Sequence, residues 1–561
     1  MGLSHFRWNL LPRLDEKRLN CPGYSPLLVQ LFYNRGITDP VDFTQFLASD
    51  SRLLNDPLLL PDAEKAVARI YRALLSGEKI AVYGDYDADG MTATAAFVLG
   101  LRALGGDAVP YIPHRQTEGH GLATGALKIL REQGVGLVVT VDCGITDVLQ
   151  VKKAKNLGLD VVVTDHHTPL DEIPDAVAIV NPKLAGSAYP FSQLAGVGVA
   201  FKVLQALFRS LGRDDRLEWL LDLVAIGTIA DLSPPLAENR YLIVEGLKRI
   251  NNEPRLGIGE LIKQTRLEVG GLDSDSISWI IGPCLNAAGR MADGLTGYNL
   301  LVTESPQEAA ELADWLARKN RERQEMTTKI LAMAREEVQE GGLQPLLIAA
   351  GKDYPLGIAG LVAGRLAEEF YRPSIVVHTT ETQSHGSCRS IPEFNMIAAL
   401  NHFSHFFSRF GGHSQAAGFT MPTSELPELE SGLIKLAAGE LECVELMPHL
   451  DIDARVNLPD LAGDAFASIQ SLAPFGIGNP VPLFLSQGVE VLEKRTMGND
   501  GEHLRLKLRQ GGSVWDGVAF RLSNHRDELS SRLDIVYNIE VDNWQGKNQL
   551  RLNILDLKSS A

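Results

Sequence analysis

Residues 79–97 read KIAVYGDYDADGMTATAAF, a short apolar run followed at once by three aspartates at alternate positions. The run KIAVY is typical of a buried strand, and MTATAAFVLGLRAL after the aspartates is typical of a helix. Carboxylates this close repel one another, so the loop is unfavourable unless a cation neutralises it. The stretch therefore predicts a strand, a cation-binding loop and a helix.

Two further apolar runs repeat this arrangement. VGLVVTV ends before Asp142, and LDVVVT ends before the tripeptide Asp165-His166-His167. Apolar β-branched runs that alternate with helical stretches indicate a parallel sheet covered on both faces. In open α/β sheets ligands bind at the carboxyl ends of the strands, where these side chains would meet.

The chemistry of these side chains predicts which cation they hold. Taken alone, each acid could be a loop residue or a helix N-cap, and the adjacent histidines could form a turn. A calcium-storing EF-hand loop is disfavoured, because Ala96 stands where that motif requires glutamate and because the loop follows a strand. Mixed carboxylate and imidazole ligands favour Mn²⁺ or Mg²⁺. More than four such groups indicate two ions about 3.5–4 Å apart, as in enzymes that hydrolyse phosphate esters.

Composition sets the class of protein. The chain has 561 residues, too many for one core, with 45% hydrophobic and 22% charged residues. Its five cysteines are scattered without CxxC pairs, which argues against disulfides and a zinc ribbon. We therefore expect a cytoplasmic protein, and no apolar stretch long enough to span a membrane is present. The net charge of −17 argues only weakly against a nucleic-acid ligand, because binding depends on local patches.

Changes in patterning divide the chain into five segments. They are a helical start (1–76), a parallel-sheet domain (77–300), a connecting helix (301–343), a second α/β domain (344–446) and an all-β module (447–561). The connecting helix is predicted by Ser305 as N-cap, Pro306 as first residue and Glu308 as the partner in a capping box. Short alternating runs such as HLRLKLRQ predict that the β module is a barrel.

Taken in order, the motifs resemble those of a known superfamily. GDYDADG, VDCG, TDHH and LDLVAIGTIADLSPP resemble four motifs of the DHH phosphoesterases, and GSCRS with FGGHSQAAGF resembles their DHHA1 domain. PYIPHRQTEGHGL, IGPCLNAAGRMADG and LAPFGIGNPVPLF are similar to segments of the RecJ family of 5′→3′ single-stranded-DNA exonucleases, as is SPLLVQLFYNRGI near the N-terminus. The implied fold is a parallel-sheet DHH domain and an α/β DHHA1 domain joined by a long helix, with a C-terminal all-β OB-fold.

The resemblance implies a set of metal ligands and catalytic groups. The implied ligands are Asp87, Asp89, Asp142, His166 and Asp231. Asp85 and His167 lie in the same motifs, either as ligands or as groups that support the ligands and act as acid or base. Together with His166 they are the implied catalytic residues. Asp165 would fix the tautomer of an imidazole.

The resemblance also implies a pocket for the 5′-terminal phosphate. Its residues would be Arg115, Arg290, Ser387, Arg389 and His413. Arginine suits this role because its planar fork pairs bidentately with phosphate. Cys388 stands where the family usually has glycine, and a side chain there could narrow the pocket.

The OB-fold would bind single strands by stacking bases on aromatic side chains along a basic groove. Alternation in HLRLKLR predicts a basic stripe of Arg505, Lys507 and Arg509 on one face of a strand. Candidate stacking platforms are the nearby aromatic residues Trp515, Phe520, Tyr537 and Trp544.

The sequence therefore predicts a metal-dependent exonuclease that releases mononucleotides from the 5′ end of single-stranded DNA, in recombination and repair. Implied partners are single-stranded DNA, single-strand binding protein and a helicase. We expect no association with a membrane, and we expect a monomer. One alternative is a DHH phosphodiesterase for short oligonucleotides or cyclic dinucleotides, which would not need the β module. Another is an inactive DNA-binding scaffold, which would require the loss of metal ligands.

Overall fold

The computed structural model describes residues 6–115, 117–213, 217–291, 293–498, 501–542 and 549–560. Its strands are β1 Arg7–Leu10, β2 Lys79–Tyr83, β3 Ala108–Tyr111, β4 Val135–Val141, β5 Asp160–Thr164, β6 Ala178–Val180, β7 Leu347–Gly351, β8 Ser374–Thr379, β9 Gln383–Arg389, β10 Arg409–Gly412, β11 Ala416–Pro422, β12 His449–Ile452, β13 Ala454–Arg455, β14 Phe484–Met497, β15 His503–Gln510, β16 Ser513–Ala519, β17 Arg532–Asp542 and β18 Gln549–Ser559.

The helices alternate with the strands through the middle of the chain. They are α1 Glu16–Leu19, α2 Pro26–Asn34, α3 Pro40–Ala48, α4 Ala63–Ser76, α5 Ala88–Ala103, α6 Thr124–Glu132, α7 Val148–Asn156, α8 Gly196–Ser210, α9 Leu221–Ala230, α10 Ala237–Asn252, α11 Leu256–Gln264, α12 Ser274–Ser276, α13 Gly282–Met291, α14 Leu295–Val302, α15 Pro306–Glu340, α16 Leu356–Phe370, α17 Met396–His402, α18 Leu426–Leu441 and α19 Ala465–Gln470. A π-helical turn, Ile277–Ile281, joins α12 to α13. Among the described residues no helix is both long and apolar enough to cross a bilayer.

The first domain is built on a parallel sheet, as predicted. Its strand order is β3-β2-β4-β5-β6, and all neighbours run parallel. Ile80 and Val82 pack into a core with α4, α5, α8 and α9, whereas Ala81 and Tyr83 pack into a second core with α6 and α7. Both faces of the sheet are therefore covered, which explains why the strand sequences are continuously apolar.

The long helix α15 joins this domain to the next one. Ser305 caps its first turn, and Thr303 links the Glu308 carboxylate to the Ser305 amide, so Glu308 acts through Thr303 instead of closing the predicted capping box directly. Residues early in the helix, such as Leu316, belong to the core of the first domain. Residues late in the helix, such as Ile330 and Val338, belong to the core of the second domain.

The second α/β domain has a mixed sheet of order β10-β11-β9-β8-β7. Strands β7 and β8 are parallel, and the other neighbours are antiparallel. Helix α16 packs on one face of β8, where Val376 shares a core with Ile358 and Val362. Together with the first domain it forms one compact unit, Ser51–Val444.

The other compact unit combines the two ends of the chain, Met1–Asp50 and Glu445–Ala561. Strands β14, β15, β16, β18 and β17 form a sheet that β14 closes by also pairing with β17, which gives the predicted OB barrel. The segment 1–76 that patterning grouped as helical is divided here. Its first strand, β1, pairs in parallel with β12, and residues 51–76 belong to the unit Ser51–Val444.

A buried ion pair ties the N-terminal helices to the barrel within this unit. Arg35 Nη1 lies 3.4 Å from Asp453 Oδ1, and both side chains are less than a tenth exposed. Arg35 also donates to Asn479 Oδ1 at 2.6 Å, and Asp453 accepts from Asn34 and from the Leu483 amide. Each charge is therefore both paired and hydrogen-bonded.

Replacing Asp453 with alanine should destabilise the unit that contains it. The Arg35 charge would stay buried without its partner, at a cost of about 3–5 kcal/mol. Urea unfolding of the full chain measures this loss. Asp451→Ala removes an exposed acid two residues away, which accepts a hydrogen bond from Asn9, and is the control, with an expected change of about 1 kcal/mol or less. Equal effects of the two substitutions would contradict this account of the ion pair.

Candidate metal centre and phosphate pocket

Strands β2, β4 and β5 end at the same edge of the parallel sheet, and each is followed by candidate ligands. Asp87 is the N-cap of α5 and accepts from the Gly90 amide, and Asp89 lies in the first turn of that helix. Asp142 follows β4 with a left-handed backbone, φ 62°, a conformation that aspartate tolerates better than most residues. His166 follows β5, and Asp231 caps the end of α9. The structure thus gathers the predicted ligands from four elements.

Asp89 is held by the N-terminus of α8. Its two oxygens accept from the Gly196 and Val197 amides at 2.7 and 2.8 Å. The positive end of the helix dipole favours an ionised carboxylate at this position. Gly196 must lack a side chain, because a Cβ there would lie 2.4 Å from Asp142 Oδ1.

His166 lies at the centre of the cluster. Its Nε2 is 3.1 Å from Asp142 Oδ1 and 4.0 Å from Asp89 Oδ2, and its Nδ1 is 3.9 Å from Asp231 Oδ2. His166 Nε2 and Asp142 Oδ1 approach each other without forming a hydrogen bond, and neither atom has another hydrogen-bond partner among the described residues, nor has Asp85 Oδ1. Buried polar atoms are normally satisfied, so these orphaned atoms fit a bound cation.

The ligand atoms fall into overlapping groups whose members lie within 4.8 Å of one another. One group contains Asp89, His166 and Asp231, and another contains Asp85, Asp87 and Asp142. A third contains Asp142, His166 and His167. The donor sets are carboxylates and imidazoles, which suit Mn²⁺ and Mg²⁺.

Without a cation the cluster resists ionisation. Burial and the Asp85 charge raise the pKa of Asp87 to about 6. Burial and the Asp231 charge raise the pKa of Asp89 well above its usual value, and burial and the Asp89 charge do the same for Asp142. Burial lowers the pKa of His166, which favours the neutral imidazole that binds metals.

Two histidines flank the cluster and are each fixed by a carboxylate. His167 Nδ1 lies 2.7 Å from Asp165 Oδ1, and the Asp165 side chain also accepts three backbone amides. Burial opposes ionisation of Asp165, but the bond from His167 and these amides hold its pKa at about 2. His120 Nδ1 lies 3.1 Å from Asp85 Oδ2. Burial disfavours its charge, yet the bond to Asp85 raises the pKa of His120 to about 9.

The structure also brings the predicted arginines together. Burial and the charges of Arg115 and Arg323 lower the pKa of Arg290 to about 10, and burial and the charge of Arg115 lower the pKa of Arg389. Arg115 lies over the Tyr86 ring at 5.2 Å, and Arg290 reaches the Gly357 carbonyl at 3.4 Å. Arg389 lies against α16, where a Cβ at Gly360 would be 3.2 Å from its guanidinium. Arginines this close to one another are suited to binding an anion.

Alternation along β9 places the remaining pocket residues. Ser387 and Arg389 share one face of the strand, while Cys388 points to the other face and is fully buried. The Cys388 side chain therefore does not enter the phosphate pocket. His413 is exposed in the turn between β10 and β11, where its amide donates to the Ala416 carbonyl.

In the OB domain the predicted basic stripe forms, but acids surround it. Arg505, Lys507 and Arg509 are exposed on one face of β15. Arg509 makes a two-pronged pair with Glu490, and Arg505 lies 3.9 Å from Asp516.

Of the aromatic candidates, Trp515 and Tyr537 lie away from this stripe, whereas Phe520 contacts His503, which is on the same face of β15 as the stripe. Trp515 opposes Leu508 and so lies on the opposite face of the sheet, and Tyr537 is fully buried against Ser486. Phe520 is 46% exposed, and Trp544 lies outside the described residues.

Sequence reasoning missed residues that support the ligands. His120 holds Asp85, Gly196 makes room for Asp142, and Asn286 Oδ1 accepts from the Ala88 amide at 2.7 Å and so holds the aspartate loop. His120 and Asn286 lie inside motifs quoted above, which was the available signal. Their partners are distant in sequence and became visible only in the fold.

Comparison with known families and proteins identifies the domains of this chain. The family described as "DHH family, N-terminal domain" matches residues 79–228, "DHHA1 domain" matches residues 343–438 and "RecJ OB domain" matches residues 452–556. The single-stranded-DNA-specific exonuclease RecJ of Bacillus subtilis is 37% identical over 99% of this chain and 71% of its own length.

Solved structures agree with this similarity. The crystal structure of RecJ from Thermus thermophilus in complex with Mn²⁺ has a TM-score of 0.86 at 29% identity, over 99% of this chain and 80% of that one. The complex of the same protein with Mg²⁺ has a TM-score of 0.80 at 28% identity, over 99% and 79%.

The substitution Asp142→Asn tests repulsion among the carboxylates separately from metal binding. Removing one charge should raise the melting temperature of the EDTA-treated protein at pH 8, because fewer carboxylates repel one another. Mn²⁺ at about a hundred times its Kd should stabilise the parent by about 2.7 kcal/mol and the variant by far less. Thermal unfolding with and without Mn²⁺ measures both effects. Asp171→Asn, at an exposed acid, is the control, and a full Mn²⁺ shift in Asp142→Asn would contradict the assignment.

Proposed function

The chain belongs to the RecJ family of single-stranded-DNA-specific exonucleases, and from this membership we propose that it hydrolyses single-stranded DNA from the 5′ end and releases mononucleotides. The observation that carries this proposal is a cluster of metal ligands beside a cluster of arginines within one unit. The carboxylates can hold the cations needed to cut a phosphodiester, and the arginines can hold the phosphate that ends the strand.

The proposed centre holds two Mn²⁺ or Mg²⁺ ions. Asp85, Asp87 and Asp142 would provide one position, and Asp89, His166 and Asp231 the other, since these two groups are distinct and adjacent. When bound, the ions would activate water and neutralise the charge that develops on the phosphate. His167 would hold or release a proton at Nε2, because Asp165 occupies its Nδ1.

The proposed direction of cutting follows from the arginines. Arg115, Arg290 and Arg389 repel one another unless an anion lies between them. A 5′-terminal phosphate has the charge and the free oxygens for bidentate contacts, and Ser387 adds a hydroxyl on the Arg389 face of β9. A strand anchored there by its first phosphate would present its first internal phosphodiester to the metal centre.

The OB domain would bind the strand farther from its end. Because Glu490 pairs with Arg509, the phosphate backbone would have to replace that acid, so we expect a modest electrostatic contribution from the stripe. Action in recombination and repair, with single-strand binding protein and a helicase, remains a prediction, as do a monomeric state and a cytoplasmic location.

End-labelled DNA tests the proposed activity. With Mn²⁺ the parent should release labelled mononucleotide at once from a 5′-labelled single strand and only late from a 3′-labelled one. Asp87→Ala should slow release at least about hundredfold while strand binding persists, because a lost ligand removes catalysis and leaves the arginines in place. Asp171→Asn should retain the parent rate. Degradation confined to pieces of two or three nucleotides would favour the alternative phosphodiesterase.

Arg389→Ala tests the phosphate pocket separately. The loss of one charge-assisted bond should lower kcat/KM for 5′-phosphorylated strands about tenfold. Strands with a 5′-hydroxyl should lose much less, so the preference for the phosphorylated end should shrink. Arg365→Ala, at an exposed arginine paired with Glu368, is the control. An unchanged preference in Arg389→Ala would place the pocket elsewhere.

A further inference from the structure

A row of polar side chains crosses the sheet of the second domain. Arg409 on β10 opposes Thr420 on β11, which opposes His385 on β9, which opposes His378 on β8. Directly opposed residues of antiparallel strands point to the same face. The row therefore presents a guanidinium, a hydroxyl and two imidazoles side by side.

This row shares its face with the proposed phosphate pocket. His385, Ser387 and Arg389 alternate with the buried residues of β9, so all three point the same way. Between the row and Arg389 lie Gly411 and Gly418. A Cβ at Gly411 would meet nothing within 4 Å, so the sheet is open there to a ligand.

The row has unused hydrogen-bonding capacity. Arg409 is exposed and makes no ion pair with a described residue. His378 Nδ1 is buried without a hydrogen-bond partner in the described part of the chain. His385 Nδ1 lies 3.1 Å from Thr420 Oγ1, which leaves its Nε2 free to meet a ligand.

Arg409, at one end of the row, also faces the first domain. A Cβ added at Gly119 would lie 3.9 Å from Arg409 Nη1, and Gly119 precedes His120, which holds Asp85. Arg409 is thus on the His120 side of the cleft, whereas Arg389 is on the Arg115 and Arg290 side. Along β9 the Cα atoms of His385 and Arg389 are four residues and about 14 Å apart, a distance that an extended single strand covers in a few nucleotides.

We propose that Arg409, Thr420, His385 and His378 form a subsite for the sugar–phosphate backbone on the 3′ side of the scissile bond. This inference rests on the proposed function, because it assumes that the 5′ phosphate lies at Arg389. The strand then runs from the row, across Gly411 and Gly418, to Arg389. Cation, hydroxyl and imidazole groups contact phosphate and sugar without selecting a base, so the subsite is independent of sequence.

Substrate length tests the subsite. A 5′-phosphorylated dinucleotide has no phosphate beyond its scissile bond, whereas a 5′-phosphorylated hexathymidylate has several. Arg409→Gln should lower the ratio of kcat/KM for the hexamer to that for the dimer about tenfold, mainly through the KM of the hexamer. Thr420→Val should lower it in the same direction, and Arg365→Gln should leave it at the parent value.

Binding of the 5′-phosphorylated hexathymidylate in EDTA provides a readout that does not need turnover. For Arg409→Gln the plot of log K against log salt concentration should become shallower by about 0.7, the value for one lost contact to a single strand. An unchanged length ratio and an unchanged salt slope in Arg409→Gln, with a normal melting temperature, would overturn the subsite. Absence of 5′ release by the parent would instead overturn the proposed function, and the salt slope would still decide the subsite.

Discussion

Mutual repulsion among buried carboxylates is the constraint on which the catalytic unit depends. Asp85, Asp87, Asp89 and Asp142 meet at one sheet edge, where burial strengthens each unfavourable interaction. The protein opposes this repulsion with fixed dipoles and cations: the start of α8 holds Asp89, the start of α5 holds Asp87, and His120 holds Asp85. These supports orient the oxygens but do not cancel the charge, so the centre is arranged for divalent cations.

Arginines from both domains present the opposite problem to the same cleft, Arg115 and Arg290 from the first domain and Arg389 from the second. Arg115, Arg290 and Arg389 crowd together with their charges only partly compensated, and Asp87 is the acid whose charge reaches Arg290. A phosphate strand can satisfy both sides, since its terminal group can neutralise the arginines while an internal group meets the cations. The long helix α15, packed into the core of each domain, fixes the distance between the two sites. If the strand end binds these arginines as proposed, α15 couples its recognition by Arg389 to cleavage at the metal ligands of the first domain.

The sequence predicted which side chains meet at the sheet edge because parallel-sheet geometry is simple. Asp142, His166 and the aspartate loop follow strands, and strand ends in a parallel sheet meet at one edge, so local pattern was sufficient. The supporting residues were not accessible in this way. Gly196 acts through a close approach to Asp142, and Asn286 through a bond to the Ala88 amide, across 198 residues of chain.

The ends of the chain illustrate the same limit. Strand β1 pairs with β12 across more than four hundred residues, and neither segment alone carries a signal for the other. In the barrel, alternation correctly placed Arg505, Lys507 and Arg509 on one face. It could not reveal Glu490 beside Arg509, and proximity in sequence was misleading for Trp515, whose register with Leu508 turns it to the other face. Local periodicity predicts which face a residue occupies, while its charge environment depends on the neighbouring strand.

Strand alternation also explains how the second domain could distinguish the two directions in which a nucleic-acid strand can bind. On β9 the inward residues Ser384, Gly386 and Cys388 are buried, so the domain can tolerate a thiol in place of glycine at Cys388 without altering the other face. The outward residues face the cleft, with Arg389 at one end and His385 toward the other. A charged end pocket on one side and mixed polar groups on the other make the two directions of a bound strand inequivalent. If the 5′ phosphate binds at Arg389 as proposed, the direction of cutting is set by the end of β9 that lies beside Arg115 and Arg290.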